Sequence, residues 1–134
     1  EIAVIRERLD VPAEACVVEE VEDSRGPGNV LTLTLEHEHV TEVVTGFGER
    51  GVPAERVAAC AAAEAQRYLA AGVPVGEHLA DQLLVLLAVA GGGAFRTLSP
   101  TLHTRTNAEV VTRFTGVPVT LTERALDDWL VRVG

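Results

Sequence analysis

Two groups of polar side chains, separated by an apolar stretch, hold the residue types in this chain that could do chemistry. The first group is His78, Asp81 and Gln82, whose spacing of i, i+3 and i+4 brings them onto one face of a helix. A ring, a carboxylate and an amide near a helix amino terminus, where backbone donors and the dipole also point, could grip a nucleoside. The alternative is a structural role, in which Asp81 stabilises the start of the helix by its charge.

The second group runs from His103 to Asn107. Asn107 is a good N-cap, so the sequence predicts a helix after it and places His103 in the short loop before that helix. A helix amino terminus attracts anions and disfavours an imidazolium ion, and both effects suit a neutral histidine that attacks a phosphorus atom. Arg105 could contact a phosphate. The alternative is a loop histidine that hydrogen-bonds to the backbone.

Composition limits the classes of protein that fit. The 134 residues, 47% of them hydrophobic, suffice for one globular domain or for pieces of two. No apolar run reaches the roughly 18 residues of a membrane helix, and no signal-peptide layout opens the chain, so we expect no membrane partner. A net charge of −9 argues against a generic nucleic-acid binder. Because the chain begins at Glu1, within a helical pattern, we expect a fragment or a processed piece.

Cysteines and a pair of histidines are the candidate metal ligands in this sequence. Neither Cys16 nor Cys60 has a partner at metal-ligand spacing, and we expect two buried thiols in a reducing compartment rather than a disulfide. His37 and His39 share one face of a predicted strand. Two such histidines could bind a metal ion, but no third ligand lies near them in the sequence. We therefore expect no metal site there.

Apolar spacing in the first half predicts a helix, a strand, a hairpin and a second helix. The first helix ends near Leu9, and residues 15–21 are expected to form a strand. The alternation over 30–36 predicts a half-buried strand that pairs with another at 40–47. A long helix starts at Pro53. Its expected buried stripe is Val57, Cys60, Ala61, Ala65 and Tyr68.

The second half predicts two further helices and three strands. Residues 79–90 form a helix that is apolar on every side after Gln82, so it should be buried all round. The glycines at 91–93 should end it, and a strand is expected at 94–98. The remaining expectations are a helix after Asn107 facing inward at Val110, Val111 and Phe114, and closing strands at 117–122 and 129–133 with a short helix between them as the alternative.

Several of these segments together resemble one enzyme family. EHLADQL (77–83), AGGGAF (90–95) and LHTRTNAEVV (102–111) are similar to the carboxy-terminal part of the RNA 3'-terminal-phosphate cyclases. The resemblance continues upstream, in the same order, through RGPGN (25–29), VTEVVTGFGERGV (40–52) and RYLA (67–70). It covers nearly the whole chain except about its last twelve residues, and the combination of motifs is more distinctive than any one of them.

The resemblance implies an activity and roles for named residues. Such a cyclase uses ATP, with Mg or Mn, to convert an RNA 3'-phosphate end into a 2',3'-cyclic phosphate through a covalent histidine–AMP. His103 matches the family's nucleophile, and His78, Asp81 and Gln82 match its adenosine-binding cluster. The segment around Val44 and Thr45 would line the base pocket, although an aromatic residue common there in relatives is missing. A cytoplasmic location is also implied.

The resemblance also implies an α+β fold with two parts. Residues 1–72 would form most of a small inserted α/β domain, and residues 73–134 the last βαβ-type segment of a larger α+β domain built from repeats. The family's glycine-rich amino-terminal signature is absent, so the isolated chain should be inactive. A cyclase-like protein that acts in ribosomal RNA processing without catalysis is the alternative, and such relatives lack the nucleophilic histidine.

Overall fold

The computed structural model describes all residues from 1 to 134, and the chain forms two compact units. Unit 1 comprises Glu1–Glu36 and Val43–Arg67, and unit 2 comprises His37–Glu42 and Tyr68–Gly134. Four α-helices and five strands in two small sheets confirm the predicted α+β class. The predicted division into two domains between residues 72 and 73 stays a prediction. None of the helices combines the length and the apolar character that crossing a bilayer requires.

Unit 1 packs helices against a β-hairpin. Its elements are α1 (Ile2–Leu9), a 3-10 turn (Ala13–Ala15), β1 (Val30–Glu36), most of β2 (Thr41–Phe47) and most of α2 (Ala54–Ala71). The alternation in β1 places Leu31, Leu33 and Leu35 toward the helices, as predicted. Their partners are the buried side chains Ile5, Val44, Ala58, Ala61, Ala62 and Ala65. Small side chains on α2 and the glycine at position 46 of β2 permit the helix and the strand to approach closely. A Cβ at Gly46 would lie 2.9 Å from Val57 Cγ1 of α2.

The strand predicted at 15–21 is wrong. Beyond the 3-10 turn this segment has no regular structure, and Val17 is 86% exposed. The sheet of unit 1 contains only β1 and β2, so the segment has no strand to pair with. Residues with high β-propensity do not form a strand without a neighbouring strand to pair with, because pairing is what stabilises a strand.

Cys60 was expected in the core, and that expectation is wrong as well. The thiol is free but exposed, and Cys16 is partly exposed. Buried positions on α2 are instead Val57, Ala58, Ala61, Ala62, Ala65 and Tyr68. Cys60 lies about 100° around the helix from Ala61 and falls outside that stripe. In an alanine-rich helix the apolar pattern is too uniform to define one face.

Unit 2 stacks two helices on an antiparallel sheet. Its main elements are α3 (Glu77–Ala90), β3 (Gly93–Thr97), α4 (Leu102–Thr115), β4 (Val119–Ala125) and β5 (Asp128–Val133). The strand order is β3-β5-β4, and β5 runs antiparallel to both neighbours. The outer strands β3 and β4 are therefore parallel, and α4 connects them. This is a βαβ connection in which the antiparallel strand β5 lies between the two parallel strands. The two predicted closing strands are present, although β4 begins two residues and ends three residues later than predicted, and a tight turn, not a short helix, joins them.

The core of unit 2 lies between the helices and the sheet. Its buried members are Leu84, Ala88, Ala108, Val111, Val131 and Val133. The predicted end of α3 is confirmed, since Gly91 adopts the left-handed conformation that closes the helix. Gly92 has φ 121°, and a Cβ there would meet the Val133 carbonyl at 2.8 Å. Only glycine fits both demands.

Two predictions about helix faces in unit 2 need correction. The helix α3 was expected to be buried on every side, but Leu86 and Val89 are exposed, because the sheet and α4 cover only the face that carries Leu84. On α4 the expected inner residues Val110 and Phe114 are exposed, whereas Val111 is buried. The inner face of α4 consists of Thr104, Ala108 and Val111.

Candidate functional site

The helix that carries His103 begins earlier than predicted. Thr101 is the N-cap of α4, and its Oγ1 accepts a hydrogen bond from the Thr104 amide at 3.1 Å. The prediction that Asn107 caps this helix is therefore wrong, and His103 lies in the first turn rather than in a loop. Thr101 was overlooked although it is a favourable cap residue that directly follows Pro100, where the chain cannot continue the preceding strand.

His103 and Asp81 meet between α3 and α4. Nδ1 of His103 lies 3.1 Å from Oδ2 of Asp81, and the side chains are 77% and 21% exposed, respectively. Asn107 Nδ2 donates to the other carboxylate oxygen, Oδ1, at 2.8 Å and to the Asp81 carbonyl at 3.2 Å. Because His103 and Asn107 are four residues apart on α4, both side chains reach the same carboxylate.

This arrangement can support nucleophilic chemistry at the outer nitrogen of the ring. A carboxylate beside Nδ1 favours the tautomer that carries its proton on Nδ1, which leaves the lone pair on Nε2. The ring is mostly exposed, so a reactant can approach Nε2. The first turn of α4 also concentrates backbone donors and positive dipole near the ring, where an anionic group would be favoured.

Of the three predicted adenosine ligands, the structure brings only Asp81 to His103. His78 lies on the exposed side of the first turn of α3, with Nε2 3.8 Å from Glu77 Oε1. Gln82 is also exposed on α3. The adenosine-binding roles of all three residues stay predictions.

Sequence reasoning missed the role of Asn107. The sequence predicts that Asn107 is a helix cap, whereas its side chain bonds to Asp81. The spacing of His103 and Asn107, four residues apart in a segment that could be helical, was the available signal that they share a face. That signal was lost because the helix was started at Asn107 instead of six residues earlier.

Arg105 is engaged within the fold. Its guanidinium carbon lies 4.8 Å from the centroid of the Trp129 ring, and Nε donates to the Pro100 carbonyl at 3.3 Å. The contact with Trp129 joins the start of α4 to β5, and the bond to Pro100 joins it to the residues just before the helix. The predicted phosphate contact of Arg105 stays a prediction, and it would have to coexist with these two interactions.

A buried carboxylate fixes the start of α3. Oε2 of Glu42 accepts a hydrogen bond from the Gly76 amide at 3.0 Å, and Thr97 Oγ1 donates to the Gly76 carbonyl at 3.4 Å. A Cβ at Gly76 would collide with the Glu42 carboxyl group. Val75 also bridges to Thr97, so the first turn of α3 is tied to β3. The position of Asp81 depends on this anchoring.

The other predicted polar positions contact residues outside the group formed by His103, Asp81 and Asn107. The His37 ring packs edge-on against Tyr68, with centroids 5.6 Å apart, and both line a concavity of about 390 Å³. Tyr68 donates to the Pro74 carbonyl, and its burial, followed by the charge of Glu42, raises the pKa of its hydroxyl. His39 lies 3.7 Å from Glu38. The expectation that His37 and His39 hold no metal stays a prediction.

The base-pocket prediction falls on β2. Val44 is buried in the core of unit 1, so its side chain cannot line an open pocket. Thr45 next to it is exposed. If the segment contacts a nucleobase, Thr45 is the side chain available for it, and this contact stays a prediction.

Comparison with known proteins places these features in a family. Residues 1–70 match the family model described as RNA 3'-terminal phosphate cyclase (RTC), insert domain. A protein of Ralstonia nicotianae named RNA 3'-terminal phosphate cyclase is 47% identical over 123 residues, which cover 92% of this chain and 35% of that protein. A Pseudomonas fluorescens protein of the same name is 40% identical over 133 residues, covering 99% of this chain and 38% of that protein.

The chain is thus a member of the RNA 3'-terminal phosphate cyclase family, as its motifs had indicated. A third relative, from Salmonella typhimurium, carries the same name and is 47% identical over 84% of this chain and 33% of its own length. The chain accordingly spans 33–38% of the length of these curated relatives.

Proposed function

We propose that a protein containing this chain converts RNA 3'-phosphate ends into 2',3'-cyclic phosphates at the expense of ATP. In the first step Nε2 of His103 attacks the α-phosphorus of ATP. A phosphorus–nitrogen bond forms, the bond to the bridging oxygen breaks, and pyrophosphate leaves. The observation that carries the proposal is the first-turn position of His103, with Nδ1 3.1 Å from Asp81 and the ring otherwise exposed.

Two further steps complete the reaction. An oxygen of the RNA 3'-phosphate attacks the phosphorus of the histidine–AMP, the phosphorus–nitrogen bond breaks, and His103 is regenerated. The neighbouring 2'-oxygen then attacks the 3'-phosphorus and releases its proton, and AMP leaves. Splitting a difficult phosphoryl exchange into covalent steps is the usual benefit of a nucleophilic side chain.

The remaining residues of the proposed site hold the nucleotide. His78 can stack on adenine, and Gln82 and Asp81 can bond to ribose hydroxyls or base edges, since all three lie near the amino end of α3. A divalent cation, Mg or Mn, belongs with the ATP phosphates in this proposal. Both oxygens of Asp81 are already engaged by His103 and Asn107, so Asp81 does not fit as an open metal ligand.

Covalent labelling tests the nucleophile. We expect the full-length protein, incubated with ATP labelled at the α-phosphate and a divalent metal ion, to acquire label in an acid-labile, base-stable bond. His103→Ala should lose the label, because no other group occupies its place at the start of α4. His39→Ala, which removes an exposed histidine elsewhere, is the matched control and should label normally.

The outcomes separate the two functional classes. Full labelling of His103→Ala would refute the assignment of the nucleophile. Absence of label on the unmodified full-length protein, under conditions where ATP binds, would instead favour a cyclase-like protein without catalysis in ribosomal RNA processing. The presence of His103 with a carboxylate partner is the observation that favours the enzyme.

A further inference from the structure

We propose that Asp81 is a positioning residue that sets the tautomer of His103, and that Asn107 orients Asp81 for this purpose. The inference rests on the proposed function, and it gives Asp81 a different main task from the adenosine contact that the family resemblance implies. It starts from one carboxylate that is contacted by two side chains of the next helix.

The two carboxylate oxygens have different partners. Asn107 donates from Nδ2 to Oδ1 at 2.8 Å and to the Asp81 backbone carbonyl at 3.2 Å. An amide group that bonds to both the side chain and the backbone of one residue holds that side chain in one rotamer. Oδ2 is thereby directed to His103, where it lies 3.1 Å from Nδ1.

The helices that carry these groups are fixed by packing. Thr104, directly after His103, is fully buried, and its hydroxyl lies 3.0 Å from the Thr101 hydroxyl. Behind the site, Leu84 of α3 and Ala108 of α4 belong to one buried cluster. A rigid frame of this kind is what holds a catalytic group and its partner in register. The exposed His103 ring therefore gains its orientation from Asp81 rather than from its own burial.

Substitution by asparagine should invert the tautomer. Asn107 donates to Oδ1, so the amide oxygen of an Asp81→Asn variant keeps that place, and its NH₂ group takes the place of Oδ2. That NH₂ group donates to Nδ1, which forces the ring proton onto Nε2 and blocks the attacking nitrogen. Asp81→Ala removes the contact without imposing the wrong tautomer. The asparagine variant should consequently be slower than the alanine variant.

An adenosine contact predicts the opposite order. Asparagine keeps the shape and one acceptor oxygen of aspartate, so it should bind a ribose hydroxyl at least as well as alanine does. Loss of such a contact would raise the ATP concentration for half-maximal rate and leave the maximal rate of histidine–AMP formation largely intact. The two roles therefore differ in both the rank of the variants and the kinetic parameter affected.

Single-turnover adenylylation of the full-length protein provides the test. For Asp81→Asn we expect the maximal rate to fall by about 10- to 100-fold, the range typical of residues that orient a reactive ligand, with half-saturating ATP changed less than about twofold. Asp81→Ala and Asn107→Ala should lose less. Glu109→Gln, which removes an exposed carboxylate of α4, is the charge-matched control and should keep the unmodified rate.

A direct readout of the tautomer keeps the inference testable without turnover. In the full-length protein labelled with ¹⁵N-histidine, the His103 ring should carry its proton on Nδ1, and Asp81→Asn should move it to Nε2. An unchanged tautomer would overturn the inference, as would a raised half-saturating ATP concentration with an intact maximal rate. Failure of the unmodified protein to label would refute the proposed function alone, because the tautomer measurement does not require ATP.

Discussion

At Asp81 a single carboxylate contacts two side chains from the neighbouring helix, and this is the most specific feature of the site. One partner is a histidine, whose ring can carry its proton on either nitrogen. The other is an asparagine, whose amide group has no such alternative. The asparagine therefore acts as a fixed reference for the carboxylate. At the scale of residues, Asn107 is the group that makes Asp81 an acid that positions His103 and not one that only lies beside it.

A second carboxylate in unit 2 has a mainly structural role. Arg96 donates two hydrogen bonds to Asp128, at 2.9 and 3.0 Å, across the paired strands β3 and β5. The hydrogen bond from Arg96, and then its charge, lower the pKa of Asp128 despite the opposing effect of burial. The pKa of Arg96 is raised by the same pair, so Arg96 stays charged over the whole accessible range.

The pair makes the stability of the fold depend on acid pH. Because the folded pKa of Asp128 lies below its ordinary value of 3.8, the stabilisation is present above that value and is lost as pH falls through the lowered folded pKa. We expect Asp128→Asn to lower the melting temperature at neutral pH, and the difference from the unmodified chain to shrink below about pH 4. Circular dichroism melts between pH 2 and pH 7 measure this.

The neighbouring carboxylate supplies the control. Asp127 faces the Ser99 amide at 3.5 Å, and its left-handed backbone, φ 53°, also suits asparagine. Asp127→Asn removes a carboxylate of the same turn without touching the pair of Arg96 and Asp128, so it should retain the stabilisation that this pair provides. A difference between Asp128→Asn and the unmodified chain that is independent of pH would contradict the ion-pair account.

At the scale of elements, α3 is a helix with one buried face, although its sequence is apolar on all sides. Leu84 has 0% exposure and packs against α4 and the sheet, whereas Leu86, on the opposite side, is 63% exposed. Val85 and Val89 extend this exposed face. The two leucines provide a matched pair, because the same substitution in the same helix changes helix propensity equally.

Truncation of each leucine should show that its packing, and not its apolar character alone, determines its contribution to the free energy of unfolding. Leu84→Ala is expected to lower the free energy of unfolding by about 2–5 kcal/mol, because it leaves a cavity in a closed core. Leu86→Ala should change it by less than about 0.5 kcal/mol, because its side chain is already in water. Urea unfolding followed by circular dichroism gives both values. Similar losses for the two variants would show that α3 is covered on both faces.

At the scale of the whole molecule, we expect the site in this chain to be incomplete for the proposed reaction. ATP carries several negative charges, and a site that binds it needs cations beyond the divalent metal ion. Near His103 the chain supplies Arg105, which is already held by Trp129 and Pro100. The net charge of −9 adds to the repulsion of a polyanion. The relatives, which are about 2.6 times as long as this chain, have room for further groups.

The isolated chain should therefore fail where the full-length protein succeeds. We expect no labelling of residues 1–134 by α-labelled ATP within the time in which the full-length protein labels completely. Gel analysis of both samples in parallel measures this, and a circular dichroism spectrum with helix content confirms that the isolated chain is folded. Labelling of the isolated chain at a comparable rate would show that its own groups suffice to bind the triphosphate.

Local signals predicted much of the fold, and contacts between distant segments were the part they missed. The strand at 30–36 was predicted with its observed bounds because alternation is a property of neighbouring residues. The strand at 15–21 failed because a strand also needs a partner. For α4 the sequence predicted only Asn107 as the cap, whereas burial of Thr104 and Ala108 against the rest of unit 2 favours a helix capped by Thr101. The bond between Asp81 and Asn107 joins residues 26 apart, and no periodicity shows how two helices cross.

The strand order in unit 2 also constrains how the molecule acquires its shape. Strands β4 and β5 can form a hairpin on their own, since a tight turn pairs Ala125 with Asp128. β3 instead pairs Gly93 with Val133, so it must wait for a distant stretch of chain, and closing long loops slows folding. During synthesis, β3 lacks its neighbouring strand until residues 128–133 have left the ribosome. Because Val75 and Gly76 are tied to β3, the start of α3, and with it Asp81, reaches its final place only afterwards.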